Sequence, residues 1–330
     1  MAASNVKSYR IHGEFTTLSP LSHIGETIST TTYLVEEPIL QPSGEIEPVF
    51  VYNGNAWRGQ LRDQAASYML EHLGCTVSLE AFHLLFSGGR IGGDQSVDIE
   101  QARMMRRAVP MVGIFGGGVG NQIMPGKLRF SGSYPVCREA MPALPEALHQ
   151  KAAGLSYREL TMEKSYTRMD DSKNPRLTES SISAMDAPLL EGKKGKKKEG
   201  EASQQMRMTS ELLIPGVTLV HTIDCMEMSA VELGALVSAL HRFAQSPYIG
   251  GQGNRGHGRV RYQSWITDME TGEQHEFVRV GDALAQLGEP AEQAKQAYDA
   301  HLRDTYDALL KRNEAEIRGL LGAEPSGSLL

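Results

Sequence analysis

The stretch of sequence that decides the fold runs over residues 248–260 and reads Tyr-Ile-Gly-Gly-Gln-Gly-Asn-Arg-Gly-His-Gly-Arg-Val. It places five glycines within nine residues, with Asn254, Arg255 and His257 between them. Glycine supplies backbone conformations with positive φ and leaves room where another group must come close. Backbone N–H groups and one arginine remain to contact that group, as in sites that bind phosphate. The stretch therefore predicts a phosphate-binding loop, and the simpler alternative is a tight turn.

Residues 251–256 also match the Gly-x-Gly-x-x-Gly pattern of dinucleotide-binding loops. That pattern requires a strand before the loop and a helix after it, because the pyrophosphate lies at the helix N-terminus. Here the periodicity predicts a helix before the loop, over 229–243, and a strand after it, over 259–266. Since the order is reversed, we do not expect a dinucleotide. We expect no other cofactor either.

The segments on either side of the loop predict an α+β fold. The predicted elements are, in chain order, a strand over 6–15, a helix over 55–73 capped by Asn55, a strand from 127 towards 136, a strand over 212–225 interrupted at Pro215 and Gly216, the helix over 229–243, and the strand over 259–266. This order is typical of a ferredoxin-like sheet that carries large insertions.

Three further segments fill the space between these elements. Residues 26–54 are rich in Thr and Pro and predict an irregular extended stretch, because proline excludes a helix there. Short helices are expected over 78–86 and 98–107.

Two later segments are polar. Residues 141–205 have weak periodicity, and their five lysines between 193 and 198 predict a mobile loop. A final helix is expected over 291–321, with four residues on one apolar side: Tyr298, Leu302, Leu309 and Ile317.

Charge is unevenly distributed along the 330 residues. The net charge of −7 argues against a nucleic-acid-binding protein when it is taken as an average. However, residues 266–330 hold 13 acidic and 6 basic residues, which is the whole excess. Residues 101–138 hold six basic residues and no acidic one, and residues 248–262 hold three arginines and no acidic one. Because a polyanion meets local charge, these two stretches keep a nucleic-acid partner possible.

Several protein classes are excluded by composition. No apolar run reaches the roughly 18 residues of a membrane helix, and the N-terminus lacks the layout of a signal peptide. Three isolated cysteines, Cys75, Cys137 and Cys225, favour neither a disulfide framework nor a zinc site. The sequence thus predicts a cytoplasmic protein with no membrane partner and no metal.

Three stretches together resemble the RAMP superfamily of CRISPR proteins. Residues 54–62, Gly-Asn-Ala-Trp-Arg-Gly-Gln-Leu-Arg, resemble that family's helix entry. Residues 114–116, Ile-Phe-Gly, and 126–130, Gly-Lys-Leu-Arg-Phe, are similar to its Leu-Phe-Gly segment and following strand. Residues 248–260 carry every named residue of its glycine-rich signature, Gly-Gly-x-x-x-Arg-Gly-x-Gly-x-Val.

Two weaker likenesses extend the match to about residues 6–265. Residues 21–25, Leu-Ser-His-Ile-Gly, resemble a Leu-His-Ile-Gly segment after the first strand, and residues 165–168, Ser-Tyr-Thr-Arg, resemble the start of a projecting hairpin. The resemblance implies a hand-shaped protein with an RRM-like palm, inserted fingers, a β-hairpin thumb and an added C-terminal helix. The implied segments are 1–54 (first palm strand and loop), 55–140 (palm helix and fingers), 141–210 (thumb), 211–290 (second half of the palm) and 291–330 (C-terminal helix).

Within the superfamily, the sequence resembles the backbone subunit. Its motifs are most similar to those of type III backbone subunits, whereas its length, its lysine-bearing insertion and its C-terminal helix look more like the type IV backbone subunit. The resemblance implies a subunit that binds the guide RNA (crRNA), stacks with further copies of itself in a helical filament and presents the guide to a complementary target, whether DNA or RNA. Guide-processing, large-type and small-type CRISPR subunits are the implied partners. Type IV systems further imply a helicase partner and plasmid-like targets.

The residues that match the family's motifs are the candidate RNA-binding residues. Arg58 and Arg62 lie at i and i+4 of the predicted helix, so both guanidinium groups would share one face and could bind phosphates. A solvated basic face is the alternative. The full set is Ser22, His23, Gly25, Arg58, Gly59, Arg62, Gly116, Gly117, Gly118, Asn121, Gln122, Arg168, Gly250, Gly251, Gln252, Gly253, Asn254, Arg255 and Gly256.

No catalytic residue is predicted. Type III backbone subunits cut target RNA with an Asp before the first helix, and Glu36 stands at the matching position, in Val-Glu-Glu-Pro over 35–38. Its carboxylate is one methylene longer, and cleavage depends on accurate placement. We therefore expect charge pairing or a solvated edge for Glu36, with target-RNA cleavage as the alternative. Precursor-guide processing is a further alternative, for which His12 and His23 are available.

The position of the acidic excess predicts the orientation of the final helix. All matched motifs lie before residue 266, whereas the excess acidic charge lies after it. We therefore expect helix 291–321 to face away from bound RNA, towards solvent or a neighbouring subunit.

Overall fold

The computed structural model describes residues 6–89, 99–119, 122–168, 206–281, 284–306 and 324–325, which form a mixed α+β fold whose strands pair antiparallel except for one parallel pair in the second sheet. The α+β class predicted from the sequence is confirmed. The strands are β1 (Lys7–Thr17), β2 (Ile24–Ile28), β3 (Thr31–Leu34), β4 (Glu36–Leu40), β5 (Ile46–Phe50), β6 (Cys75–Thr76), β7 (Gly117–Val119), β8 (Gln122–Met124), β9 (Leu128–Phe130), β10 (Tyr134–Pro135), β11 (Thr161–Arg168), β12 (Met206–Leu213), β13 (Thr218–Met228), β14 (Val260–Asp268), β15 (Gln274–Val280), β16 (Ala285–Leu287) and β17 (Glu324–Pro325).

The α-helices are α1 (Gly54–Leu73), α2 (Leu79–Ser87), α3 (Ile99–Ala108), α4 (Pro110–Phe115), α5 (His149–Ala152), α6 (Ala230–Phe243) and α7 (Glu289–Tyr306). The predicted helices over 55–73, 78–86, 98–107 and 229–243 are therefore confirmed to within one residue at each end. Helix α4 was not predicted, since six residues are too few to reveal a helical period.

The central sheet has the strand order β10, β13, β1, β14, β15, β16, and β9 also pairs with β13. Strand β1 lies between β13 and β14 and is antiparallel to both, so Ile11 lies opposite Ile223 on one side and Ile266 on the other. Alternate residues of β1 point to opposite faces. One face carries the buried Ile11 and Phe15, while the other carries half-buried polar residues that include Arg10, which pairs with Asp224 at 2.7 Å.

Helices α1 and α6 cover the apolar face of this sheet. The Trp57 ring of α1 packs edge-on against Phe15 at 5.1 Å and against Phe243 of α6 at 5.0 Å. Helix α6 begins as predicted at Ser229, whose side chain accepts from the Glu232 N–H while the Glu232 carboxylate accepts from the Ser229 N–H. This reciprocal pair satisfies N–H groups that the first turn of a helix leaves free.

Helix α7 packs on α6 rather than standing apart from the domain. A Cβ atom at Gly234 of α6 would lie 2.0 Å from the Ala294 carbonyl oxygen, so only glycine allows this approach. Tyr298 and Leu302 are buried, and the opposite side of the helix, with Glu292, is exposed. The final helix therefore does not face only solvent or a neighbour, because one side completes the core of its own chain. Leu309 and Ile317 lie outside the described residues.

A second sheet, in the order β11, β12, β3, β2, adjoins the first. Strands β11 and β12 pair along their whole length, from Thr161 with Leu213 to Arg168 with Met206, and we call this pair the ribbon. A turn at Pro215 and Gly216 separates β12 from β13, as predicted. The lysine-rich run at 193–198 lies outside the described residues.

Two sequence-based expectations for residues 26–55 were wrong. Residues 26–54 are not irregular, because they contain β2 to β5, and Pro38 lies opposite Pro48 in the β4–β5 hairpin. Proline excludes a helix but is tolerated in a two-stranded edge. Asn55 does not cap α1, since the helix begins at Gly54, one residue earlier.

Within the described ranges, none of the helices combines the length and the apolar character needed to cross a bilayer.

Candidate nucleic-acid interface

The glycine-rich loop, residues 250–258, connects α6 to β14 and contains one helical turn. Gln252 has a left-handed backbone, with φ of 59°, and the turn Gly253–Arg255 follows it. The Arg255 N–H donates to the Gln252 carbonyl at 2.9 Å, and the Gly256 N–H donates to the Gly253 carbonyl at 2.9 Å. The N–H groups of Gly253 and Asn254 find no acceptor in the described part of the chain. A left-handed residue followed by right-handed ones directs successive N–H groups to one side, as in anion-binding nests.

The inner glycines of the loop are required by the fold. Gly250 has φ of +73°, and a Cβ atom there would lie 2.2 Å from the Ser22 carbonyl oxygen. Gly258 has φ of +84°, and its Cβ atom would lie 2.1 Å from the Ile249 carbonyl oxygen. No other residue fits at either position, so these two glycines alone give no sign of a ligand.

The outer glycines are different. A Cβ atom at Gly253 would meet nothing nearer than a Tyr248 ring carbon at 4.0 Å, and one at Gly256 would meet nothing within 4 Å. Gly256 still needs its φ of +80°, but Gly253 has neither a positive φ nor a close neighbour. The fold of the described chain therefore does not explain the glycine at 253, whereas the close approach of a ligand would.

Two other predicted segments meet this loop. The Gly251 N–H donates to the Ser22 carbonyl at 2.7 Å, in an isolated β-bridge. From α1, the Gln60 side-chain amide donates to the Tyr248 carbonyl at 2.5 Å. The neighbouring Gly59 is open, since a Cβ atom there would meet nothing within 4 Å. The structure thus brings the segment after β1, the first turns of α1 and the glycine-rich loop together.

The three predicted residues after β1 have different surroundings. Ser22 is buried, and its hydroxyl has no partner within the described ranges, so it reaches the loop through its backbone. His23 is half-buried against Tyr52 at 5.0 Å, and burial lowers the pKa of its imidazole. Gly25 is exposed, but a Cβ atom there would lie 3.0 Å from the Val35 Cα atom.

Arg255 points from the loop to the ribbon. Its Nη1 group donates to the Tyr166 hydroxyl at 2.5 Å and to the Gln252 amide oxygen at 3.4 Å. The guanidinium carbon lies 4.6 Å from the centroid of the Tyr166 ring, in a cation–π contact. Arg255 remains exposed, so the rest of the guanidinium is accessible.

His257 was quoted with the loop but not included among the candidate residues. It is 3% exposed, and its Nδ1 atom has no partner among the described residues. Burial and the charge of the nearby Lys164 lower the pKa of its imidazole, with Arg255 adding to the effect. The signal that could have found Lys164, Tyr166 and Gln60 was their position inside or beside the quoted motifs.

Arg58 and Arg62 share one face of α1, as the spacing predicted, but that face is turned towards the protein. Arg62 is 6% exposed and donates to the carbonyls of Phe115 at 2.7 Å and Gly116 at 2.8 Å, and more weakly to that of Leu84 at 3.4 Å. Arg58 is half-buried and also donates to the Phe115 carbonyl. Burial, with the charge of Arg58, lowers the pKa of Arg62 to about 10. The Arg62 guanidinium thus holds the end of α4, and a bidentate phosphate contact would require these bonds to break.

The second glycine-rich segment, Gly116, Gly117 and Gly118, is packed against protein. A Cβ atom at Gly116 would lie 2.7 Å from both the Gly126 nitrogen and the Met124 oxygen. One at Gly117 would lie 2.7 Å from a Leu84 methyl group, and the Gly118 N–H donates to the Gly88 carbonyl at 2.7 Å. Close packing of neighbouring backbone and a φ of +75° account for the glycine at 116, so the predicted approach of RNA is not needed to explain it. Gly117 faces a Leu84 side chain, and Gly118 is held through its backbone N–H.

The remaining candidate residues are less informative. Gln122 is half-buried in β8, which pairs with β7. Arg168 ends β11 opposite Met206, and only its backbone is described. Asn121 lies outside the described residues.

Glu36 is engaged by a tyrosine. The Tyr157 hydroxyl donates to the Glu36 carboxylate at 2.7 Å, and burial together with this carboxylate raises the pKa of Tyr157. Glu36 also borders a shallow pocket with Glu26 and Glu211. Across the parts of the chain that the structure describes, no three His, Cys, Asp or Glu side chains are grouped to bind a metal ion. Glu36 is exposed at the start of β4 and keeps this hydrogen bond to Tyr157.

Comparison with known proteins gives a likeness in structure and none in sequence. No family model matches the chain, and no curated protein matches it. Among solved structures, a chain of a type IV-B CRISPR complex matches with a TM-score of 0.52 and 20% sequence identity, over 77% of this chain and 90% of that chain. The two chains share a fold. At this identity the likeness concerns the fold alone.

Proposed function

We propose that this protein is a guide-RNA-binding backbone subunit of a type IV CRISPR effector ribonucleoprotein and that it has no catalytic activity of its own. The observation that carries the proposal is the outer half of the glycine-rich loop. There, Gly253 is a glycine that the described fold does not need, beside two free N–H groups and the exposed Arg255. Free N–H groups and an arginine beside an open backbone suit a phosphodiester.

The architecture supports the hand-shaped arrangement proposed for this subunit. Counting the central strands in chain order as β1, β9 with β10, β13 and β14, their order in the sheet is second, third, first, fourth. This agrees with a ferredoxin-like palm, in which α1 and α6 cover one face. In this proposal the ribbon is the thumb, and α2 to α4, between α1 and β9, belong to the fingers.

The proposed partners follow from the same role. The guide RNA would contact the glycine-rich loop, further copies of this chain would stack along the guide in a helical filament, and a complementary target would pair with the exposed bases. Other CRISPR effector subunits and a helicase would complete the assembly. The exposed acidic side of α7, which carries Glu292, suits a position away from the phosphates because like charges repel there.

The direct test is whether the purified full-length chain carries RNA of uniform length, measured by ultraviolet absorbance and a denaturing gel. Binding of a labelled mixed-sequence single-stranded RNA then compares wild type with Arg255→Ala. We expect Arg255→Ala to weaken binding about tenfold, since an arginine–phosphate contact contributes about 1.5 kcal/mol or more. The matched control is Arg279→Ala, because Arg279 is exposed on β15 and pairs with Glu276. Equal affinity of the Arg255 and Arg279 variants would contradict the proposed site.

Two enzymatic alternatives remain to be tested by experiment. For target cleavage, wild type and Glu36→Ala are incubated with guide, target RNA and Mg²⁺. Regularly spaced cuts that wild type makes and Glu36→Ala does not would show that the subunit is a ribonuclease. For guide processing, a precursor RNA replaces the target, and release of fragments of a single length would support an endoribonuclease.

A further inference from the structure

We infer that the ribbon and the glycine-rich loop form one joint phosphate-binding site, in which Tyr166 positions Arg255 and Lys164 adds a second positive charge. The ligand class is the phosphodiester backbone of a single-stranded nucleic acid. The inference rests on the proposed RNA-binding function and names ribbon residues, Lys164 and Tyr166, that the loop alone does not provide.

The first step is the way in which Arg255 is held. Its Nη1 group donates to the Tyr166 hydroxyl at 2.5 Å, and its guanidinium carbon lies over the Tyr166 ring, 4.6 Å from the centroid. An arginine has five N–H groups, of which those on Nε and Nη2 lie on the edge away from Nη1. On Arg255 these have no partner in the described ranges, and Arg255 makes no ion pair there. A free edge with two parallel N–H groups is the geometry that binds a phosphate through two hydrogen bonds.

The second step is that the Tyr166 hydroxyl is itself held from behind. It lies 3.2 Å from the Ser210 hydroxyl of β12, which in turn accepts from the Thr32 hydroxyl of β3 at 2.8 Å. Ser210 and Thr32 are buried, so this row of hydroxyl groups connects Arg255 to three strands of the second sheet. An arginine that is already held by a ring contact and by one hydrogen bond loses less side-chain entropy when it binds a ligand.

The third step is the charge beside this arginine. Lys164 lies two residues before Tyr166 on β11, and alternation places the two side chains on the same face of the strand. Lys164 is exposed and shares its face of β11 with Tyr166, the residue that contacts Arg255 of the loop. Because no ion pair of the described chain includes Lys164 or Arg255, both charges are available to a polyanion.

The test measures binding of a labelled mixed-sequence single-stranded RNA to the full-length protein by fluorescence anisotropy over a series of salt concentrations. Tyr166→Phe keeps the ring and removes the hydroxyl that holds Arg255, and we expect an affinity about fivefold lower than wild type, as for one lost hydrogen bond. Lys164→Ala removes one charge, and we expect the slope of log affinity against log salt to fall by about 0.7, as for one phosphate contact on a single strand.

Two controls separate positioning from general damage. Tyr33→Phe removes a hydroxyl from an exposed tyrosine on the neighbouring β3 and should leave affinity unchanged. Ser210→Ala removes the support behind Tyr166 but leaves the contact with Arg255, so it should lower affinity less than twofold. Thermal unfolding confirms that each variant is folded.

The decisive comparison is between Tyr166→Phe alone and Tyr166→Phe in an Arg255→Ala background. If Tyr166 acts by positioning Arg255, losing the Tyr166 hydroxyl should not weaken binding further once Arg255 is absent. An undiminished fivefold effect in that background would overturn the inference. The proposed function fails separately, namely if wild type does not bind RNA or if Arg255→Ala binds like wild type.

Discussion

The two glycine-rich segments of this protein have similar compositions and opposite surroundings. In the segment over 116–118, Gly116 is pressed against neighbouring backbone and Gly117 against a Leu84 methyl group, with the Arg62 guanidinium bonded to the carbonyls of Phe115 and Gly116. In the loop over 250–258, the inner glycines are packed in the same way, but Gly253 is open and Arg255 is exposed. The difference teaches that the number of glycines says little about ligand binding. What matters is whether a Cβ atom would collide with the protein itself.

The largest expected effect is that of Arg62→Met, which tests whether the buried arginine belongs to the structure. The change removes the Arg62 donor from the carbonyls of Gly116, Leu84 and Phe115, of which Phe115 keeps the bond from Arg58, and buried acceptors that lose partners are costly. We expect the free energy of unfolding in urea to fall by about 3 kcal/mol. Arg58→Met is the matched control, since Arg58 is half-buried and donates to one of these carbonyls, and it should cost about 1 kcal/mol or less. Equal costs would remove the distinction between the two arginines.

The next effect is that of Gly116→Ala. The added Cβ atom would meet backbone atoms at 2.7 Å on two sides, and φ of +75° is strained for alanine. We expect a loss of about 2–3 kcal/mol in unfolding free energy. The matched variant is Gly256→Ala, where φ is +80° but no atom lies within 4 Å, so that strain alone should cost about 1 kcal/mol. If Gly116→Ala is as stable as Gly256→Ala, close packing is not the reason for the glycine at 116.

Gly253→Ala should separate binding from stability. The position is open and has no positive φ, so urea unfolding should change by less than about 0.5 kcal/mol. If a phosphate approaches this backbone, the added methyl group obstructs it, and we expect RNA affinity to fall about fivefold to tenfold. Unchanged affinity would indicate that the glycines of the loop over 250–258, like those of the segment at 116–118, serve the fold and not a ligand.

The smallest expected effect is that of Gly59→Ala on α1. Alanine is a better helix former than glycine by about 1 kcal/mol, and a Cβ atom at this position meets nothing within 4 Å. We therefore expect the free energy of unfolding to rise by up to about 1 kcal/mol, measured in urea. A fall in RNA affinity in the same variant would show that an otherwise unfavourable glycine is kept for the ligand. Destabilisation would contradict the open surroundings of Gly59.

Local patterns were sufficient for most of the secondary structure. Helix α6 could be predicted because Ser229 and Glu232 form a local cap and its apolar residues recur with a helical period. The hairpin of β4 and β5 could not, since Pro38 and Pro48 exclude a helix without indicating which strand pairs with which. Helix α4 was too short to show a period.

The segments that meet at the candidate site all carry motifs quoted from the sequence, but their contacts could not be read from it. The segments around Ser22, Gly59 and Gly253 meet in the structure. Arg62 looked equivalent to Arg58 in the sequence, yet its guanidinium is buried on carbonyls of α4. Tyr166 was inside a quoted motif, but its contact with Arg255 joins residues far apart in the chain.

By itself, the sequence determined the α+β class, the order of the main elements and the presence of an unusual glycine-rich loop, because these depend on periodicity, caps and turns within short windows. The tertiary structure decided which glycines and which arginines are available to a ligand. The physical reason is that the space around Gly250 is limited by the Ser22 carbonyl, and the N–H groups of Arg62 are occupied by the Phe115 carbonyl. Those neighbours come from distant parts of the chain, and no local pattern specifies them.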